Sequence, residues 1–441
     1  MKKCVEGVIA MKLCDYPKLA TTLLLLIFGA LLLALLGTPV HGRLDVEGYV
    51  EPALGVRYDN EGPIEQRNVL EENRIMLENR WYGAAGSQAT LRGLIKHEGR
   101  ENAEVELREG SLMVPLGHRY DLTVGRQTLC WGPARYEFVN DRFAKDYRSF
   151  FLGRDLEYLK APNDALRLAG YLDHFNFDLA LMPRFEHDRT ARGLNLPVYH
   201  PGEGELRSAG DTLPGVARPE DDISDGEVHL RVHRNFGRWE TALYGYRGFT
   251  GTPRAVRTVG SDSEVYHPQM AAGGFSLRGP LFGSIVWLEG AYEDIRAEDA
   301  GSNPKLPSDQ YQFMAGLEYQ TQPTVTYMLQ GTWLIDDDAS QARRQAENDL
   351  DDDHPATERD KYRLQVATTR EYWDDRLVVE ARGLFGITEE DYNLRLQANY
   401  EWSDSINIYA GTLHFDGEYE DTRFGALEDN DLFYSRLRYS F

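Results

Sequence analysis

From residue 43 to the C-terminus, apolar and polar side chains alternate with period two in segment after segment, and no stretch shows the stripe of an amphipathic helix. The clearest segment runs from Tyr392 to Trp402. Leu394, Leu396, Ala398, Tyr400 and Trp402 share one face, and Asn393, Arg395, Gln397, Asn399 and Glu401 share the other. Similar runs pair as hairpins: Tyr311–Tyr319 with Val325–Trp333, Tyr362–Thr368 with Leu377–Phe385, Ala165–Leu172 with Phe175–Phe185, and Val228–Val232 with Trp239–Phe249. About 18 strands (16–18) of roughly 9–13 residues follow, long for a soluble sandwich and suited to tilted membrane-crossing strands. The links between them alternate. Short ones are expected near 85–87, 115–119, 173–175, 234–238, 278–283, 321–323, 373–375 and 403–405. Long ones are expected near 131–163, 186–226, 250–269, 294–309, 336–358 and 416–430. The pattern predicts an all-β chain, a transmembrane antiparallel β-barrel over 43–441 with short periplasmic turns and long extracellular loops.

Residues 1–42 have a different character. Lys2, Lys3, Lys12 and Lys18 precede an uncharged stretch from Leu19 to Val40, and small residues follow at Thr38-Pro39-Val40-His41-Gly42. That is the layout of a cleaved secretory signal peptide, with translation starting at Met1 or Met11; a membrane anchor is the competing reading. Cleavage after Gly42 removes four of the 48 basic and two of the 71 acidic residues, taking the net charge from -23 to -25. Cys4 and Cys14 leave with the leader, so Cys130 has no internal disulfide partner. So acidic a chain is not expected to bind nucleic acid, whose phosphates need clustered Lys and Arg.

If the apolar faces point to lipid, the alternate positions line the interior. Arg363, Arg382, Arg395, Arg436 and Arg438 then fall on the inner wall of the last strands, with His229, Arg231 and His233 opposite. The link 131–163 stands out among the long ones by its aromatic and basic content. Arg135, Tyr136, Arg142, Arg148, Phe150 and Phe151 are its candidates for narrowing the lumen, because that much apolar surface has to be buried. The other long links are acidic, with runs at Glu220-Asp221-Asp222, Asp336-Asp337-Asp338, Asp351-Asp352-Asp353 and Glu428-Asp429-Asn430-Asp431. None has the spacing of a calcium loop, and no metal or cofactor site is expected.

Two segments resemble known families. The final strand ends in Leu437, Tyr439 and Phe441 on one face, which is similar to the assembly signal of Gram-negative outer-membrane barrels. Gly125, Arg126, Gln127, Trp131 and Gly132 resemble the "GRQ…WG" segment of porin-like outer-membrane families, in which a strand ends and a long loop follows. That resemblance implies export to the outer membrane and passage of a solute. It leaves the solute open, small polar or anionic, and it implies lipid, lipopolysaccharide and the outer-membrane assembly machinery as partners. Oligomerisation is also open. So is a second reading, a structural sheath holding a partner such as a multihaem cytochrome; no Cys-x-x-Cys-His is present, so any haem would be the partner's. A third, a barrel hydrolase, would draw on His187, His200, His267 or His414, none of which has a recognisable catalytic spacing; no enzyme is expected.

Overall fold

The computed structural model describes residues 46–441 apart from 59–67, 99–102, 191–195, 197, 201–204, 208–215, 220–224, 260–261, 297–308, 322–323 and 338–353. The expected leader 1–42 and the acidic runs at 220–222 and 351–353 lie outside the described residues.

Eighteen strands close into one antiparallel barrel. In chain order they are β1 (Glu47–Arg57), β2 (Asn68–Tyr82), β3 (Gln88–Glu98), β4 (Glu104–Leu116), β5 (Tyr120–Gln127) and β6 (Asn163–Tyr171). Next come β7 (Asn176–Met182), β8 (Glu227–Phe236), β9 (Trp239–Phe249), β10 (Gln269–Leu281), β11 (Ser284–Arg296) and β12 (Gln310–Thr321). The last six are β13 (Val325–Asp336), β14 (Asp360–Tyr372), β15 (Leu377–Gly386), β16 (Asp391–Ser403), β17 (Ile406–Gly417) and β18 (Leu432–Ser440). Each strand pairs with its sequence neighbours, and β1 pairs with both β2 and β18, so the sheet has no free edge. Gly48 and Phe441 exchange backbone hydrogen bonds of 3.1 and 3.0 Å at this seam, so the terminal aromatic residue closes the ladder.

One end of the barrel carries tight turns and the other carries the long links, as the alternation predicts. Leu281 and Ser284, for example, are joined by two residues with positive φ, Phe282 (50°) and Gly283 (80°), the conformation that matches strand twist. Additional short strands extend the long-link end, at Val198–His200, Glu205–Arg207, Val216–Ala217, Ala255–Val259 and Asp262–Tyr266.

Period two decides which side chains go where. On β12, Tyr311, Phe313 and Leu317 are exposed on the outside, while Gln312 and Met314 between them are buried within the barrel. The same holds for Leu394 and Leu396 against Asn393 and Arg395 on β16. An exterior band this apolar is far larger than water tolerates on a soluble protein, and an interior this polar needs hydrogen-bonding partners. Both demands are met by a barrel seated in lipid. Leu437, Tyr439 and Phe441 lie on the exposed outer face.

Candidate functional site: a loop folded across the lumen

The site begins where β5 ends. Gly125 sits at φ 117°, and a Cβ there would lie 2.2 Å from the Gly110 carbonyl oxygen on β4, so only glycine fits. Arg126 donates through Nε to the Leu107 carbonyl (2.8 Å) and through Nη1 to Asp164 (3.0 Å), and Gln127 Nε2 donates to the Ala165 carbonyl (3.1 Å). These two side chains staple β4, β5 and β6 at the point where the chain leaves the wall. The link spans 128–162, three residues earlier at its start than the sequence pattern places it. Trp131 is buried against Phe143, and Gly132, at φ 84°, passes so close to Glu289 that a Cβ would lie 3.2 Å from the carboxylate. Gly125→Val is therefore expected to lower stability by about 1–3 kcal/mol through the forced backbone strain alone, with the steric clash added; urea titration of the heat-modifiable folded form measures it.

From Gly132 the loop turns inward and is held by side chains on opposite walls. Glu289 on β11 accepts from Ala134 N (3.1 Å), Asn140 N (3.2 Å) and Asn140 Nδ2 (2.7 Å). Arg142 pairs with Glu293, also on β11. Glu137 reaches β14, where it accepts from Arg363 and from Gln365 Nε2 (2.8 Å). Asp146 caps the single helical turn Tyr147–Phe151 by accepting from Ser149 N at 2.8 Å. Arg148 then pairs with Glu98 on β3 (2.5 Å), and Arg154 with Glu72 on β2 (2.9 Å) and Glu98 (2.7 Å). Asp155 closes the circuit by accepting from Arg436 (2.8 Å) and Arg438 (2.5 Å) on β18. Anchors on β2, β3, β11, β14 and β18 place the loop across the lumen rather than along one wall.

Apolar packing fixes its centre. Tyr136, Val139, Phe150, Phe151 and Leu152 bury themselves with the inward side chains Met314, Met328, Leu384, Leu413 and Tyr434. The short helical turn Gly425–Asn430, between β17 and β18, adds Leu427 to the same cluster. Burying a Phe or Leu side chain here contributes about 1.5–3 kcal/mol each, one part, with the ion pairs and hydrogen bonds to the wall, of what holds the link in place.

The constriction candidates thus divide by chemistry. Phe150, Phe151 and Tyr136 are buried core residues of the loop, while Arg135, Arg142 and Arg148 each face a wall carboxylate, Glu318, Glu293 and Glu98. The wall arginines also differ among themselves. Arg363 is held by Glu137 and Glu389, and Arg436 and Arg438 by Asp155 and Glu51. Arg395 donates instead to the Gly153 and Arg154 carbonyls (3.0 and 3.3 Å) and the Tyr434 hydroxyl (3.0 Å). Arg382, directly opposite Arg395 in the β15–β16 register, lies 4.3 Å over the Phe150 ring and 4.9 Å over Tyr136, with Glu380 only at 4.0 Å. Arg382 and Arg395 are therefore adjacent buried cations without a close carboxylate among the described residues. Glu51, Glu72, Glu98, Glu289 and Glu293 complete the site and were not singled out by sequence; their signal is an acidic residue at an inward position of an otherwise alternating strand.

The loop's own acids carry a pH dependence. Burial pushes the Glu137 carboxyl up, but Arg363 and Arg423 beside it outweigh burial and hold it below the ordinary value. Burial acts the same way on Asp155, and Arg436 and Arg438 overcome it. A depressed folded-state pKa contributes stability that is present above the unfolded carboxylate value of about 4 and is lost as pH falls through the folded one. The loop is expected to stay seated from neutral pH down to about pH 4 and to loosen below it, seen as rising, noisier single-channel current in acid.

No protein-family model and no curated protein matches the sequence. Solved structures do resemble the barrel. Acinetobacter baumannii OccAB3 superposes with a TM-score of 0.53 at 8% identity, covering 90% of this chain and 99% of that one. Pseudomonas aeruginosa OccK11 (OpdR) gives 0.51 at 10% identity over 90% and 94%. A. baumannii OccAB1 gives 0.50 at 9% over 91% and 98%. The likeness extends to the fold.

Proposed function

We propose that the chain is an outer-membrane channel of a Gram-negative bacterium, exported by a cleaved leader, through which small polar solutes pass at a cross-section set by the 128–162 loop. The observation that carries this reading is a closed barrel with a lipid-type exterior and an inward segment, 128–162, pinned to opposite walls. Leu437, Tyr439 and Phe441 on the outer face support their reading as the signal read by the assembly machinery, and the exposed apolar band supports lipid and lipopolysaccharide as its surroundings. Preference for anions rests on Arg382 and Arg395, which among the described residues have no carboxylate nearer than Glu380, 4.0 Å from Arg382.

A sheath around a partner protein would need the space that Tyr136, Phe150 and Phe151 fill. A hydrolase finds little support either. His414 has an acid partner in Asp431, but its Nε2 faces the Tyr392 hydroxyl (3.4 Å) rather than a serine.

The test is planar-bilayer conductance of the refolded protein with reversal potential under a KCl gradient. Small, stable conductance with chloride preference, reduced in Arg382→Gln/Arg395→Gln, is the expected result. Absence of conductance from a folded barrel overturns the channel reading, and cation preference overturns the role given to these arginines.

A further inference from the structure

Two arginines stand on the outside of the β8–β9 hairpin, at its short-turn end. Arg234 follows Leu230 and Val232 on the outward face of β8, and Arg238 is at the tip of the turn to β9. Both are exposed, and neither makes an ion pair among the described residues. The Arg234 guanidinium lies 5.0 Å from the centroid of the Phe236 ring, so it bends towards the tip that carries Arg238.

The surrounding carboxylates are turned away or taken. Glu240 and Asp178 are inward residues, held by Arg231 (2.6 Å) and Arg167, and Asp173 on the neighbouring β6–β7 turn is held by Arg119 (3.1 Å). Two positive charges and no free negative one therefore face outward here, among the described residues. The β14–β15 turn differs: its exposed Arg370 and Arg376 share the turn with Asp374 and Asp375.

The level of the pair is that of lipid headgroups. Above it the outward rungs across β9 and β10 are Thr241/Leu277, Leu243/Phe275 and Gly245/Gly273, all uncharged, before Arg247. The nine residues of tilted strand from Arg238 to Arg247 rise roughly 23 Å, close to the apolar band of about 25 Å. Phe236 and Phe282, 57% and 96% exposed on adjacent turns, supply the aromatic residues of that boundary. A protein partner would have to displace lipid from Leu243 and Phe275 to reach the pair; a phospholipid covers both at once.

We propose that Arg234 and Arg238 bind the phosphate of an anionic phospholipid in the leaflet on the short-turn side, with an acyl chain over the Leu243/Phe275 and Gly245/Gly273 rungs. The inference rests on the reading of the chain as an outer-membrane barrel and is independent of what passes through it.

Native mass spectrometry of the refolded barrel, offered phosphatidylglycerol and phosphatidylcholine of equal chain length, tests it. Each arginine is expected to favour the anionic lipid about fivefold, and the pair about 25-fold. Arg234→Gln/Arg238→Gln should bind the two lipids equally, each single variant should lose about half of the preference on a logarithmic scale, and Arg370→Gln/Arg376→Gln should keep it. Heat-modifiability confirms the fold of every variant. Equal binding in the wild type, or a preference that survives in the folded double variant, overturns the proposal. An equal loss in Arg370→Gln/Arg376→Gln also overturns it, as general attraction without a site. Flotation with lipid vesicles separates the two readings: a folded protein that does not float overturns the membrane barrel and this site with it, and one that floats without lipid preference overturns the site alone.

Discussion

Replacing residues 133–160 by a short glycine–serine link is expected to raise single-channel conductance several-fold. The strands on either side do not depend on the loop for pairing: β5 and β6 share an eight-residue antiparallel register from Tyr120↔Gly170 to Gln127↔Asn163, and the ladder around the barrel is continuous without it. Removing the segment takes away the aromatic centre of the plug, Tyr136, Phe150 and Phe151, and the arginines that bridge to the wall. The wall carboxylates it frees, Glu72, Glu98, Glu289 and Glu293, then face a water-filled lumen, where an unpaired charge is solvated at modest cost. Barrels of 16–18 strands without such a plug hold an aqueous channel. The same bilayer recording as for the wild type, with heat-modifiability confirming the fold, checks the result. Unchanged conductance would mean that the narrowest point lies elsewhere and that 128–162 is only a cap.

The barrel was readable from the sequence because one physical rule governs every strand. Lipid on one side and polar interior on the other force alternation, so Tyr392–Trp402 announces both its conformation and its faces, and β16 spans Asp391–Ser403. Turn chemistry marked the short end equally well: Trp373, Asp374 and Asp375 have φ of 57°, 55° and 66°, at the place where the alternation breaks. The arginine set on the last strands was readable for the same reason, since parity alone puts Arg363, Arg382, Arg395, Arg436 and Arg438 inside.

What parity cannot give is who meets whom across the lumen. Arg154 and Glu72 are 82 positions apart, Asn140 and Glu289 149, and Asp155 and Arg436 281. These contacts exist only after closure brings β2, β11 and β18 around one loop, and no local pattern encodes that. The basic residues of the loop invite reading as free anion-facing groups; their acidic partners sit singly on strands, one per alternation, where each looks like ordinary lining. The hub Glu51 illustrates the point. It lies on β1 and contacts Arg74 on β2 together with Arg436 and Arg438 on β18, so its role is set by the barrel seam and not by its neighbours in sequence.

The second large effect is expected at Arg154. Its guanidinium lies between Glu72 (2.9 Å) and Glu98 (2.7 Å) and donates to Ser149 Oγ (2.9 Å), with all three charged side chains less than a tenth exposed. Arg154→Ala takes from the two buried carboxylates the cation they share, leaving Glu98 to Arg148 (2.5 Å) and Glu72 to Arg74 (3.5 Å), a loss of about 3 kcal/mol, the low end for breaking a buried pair from one side. Neutralising the acids as well removes the uncompensated charge, so Arg154→Ala/Glu72→Gln/Glu98→Gln is expected to recover a large part of that loss although it restores none of the contacts. Urea unfolding reads the stability difference, and current recordings read its origin. The single variant should show frequent excursions to the conductance of the loop-deleted barrel, and the triple variant few. Equal stability of the two would show that Arg154 acts through packing against the loop; a stable, quiet single variant would show that the β2–β3 anchor does not hold the loop in place.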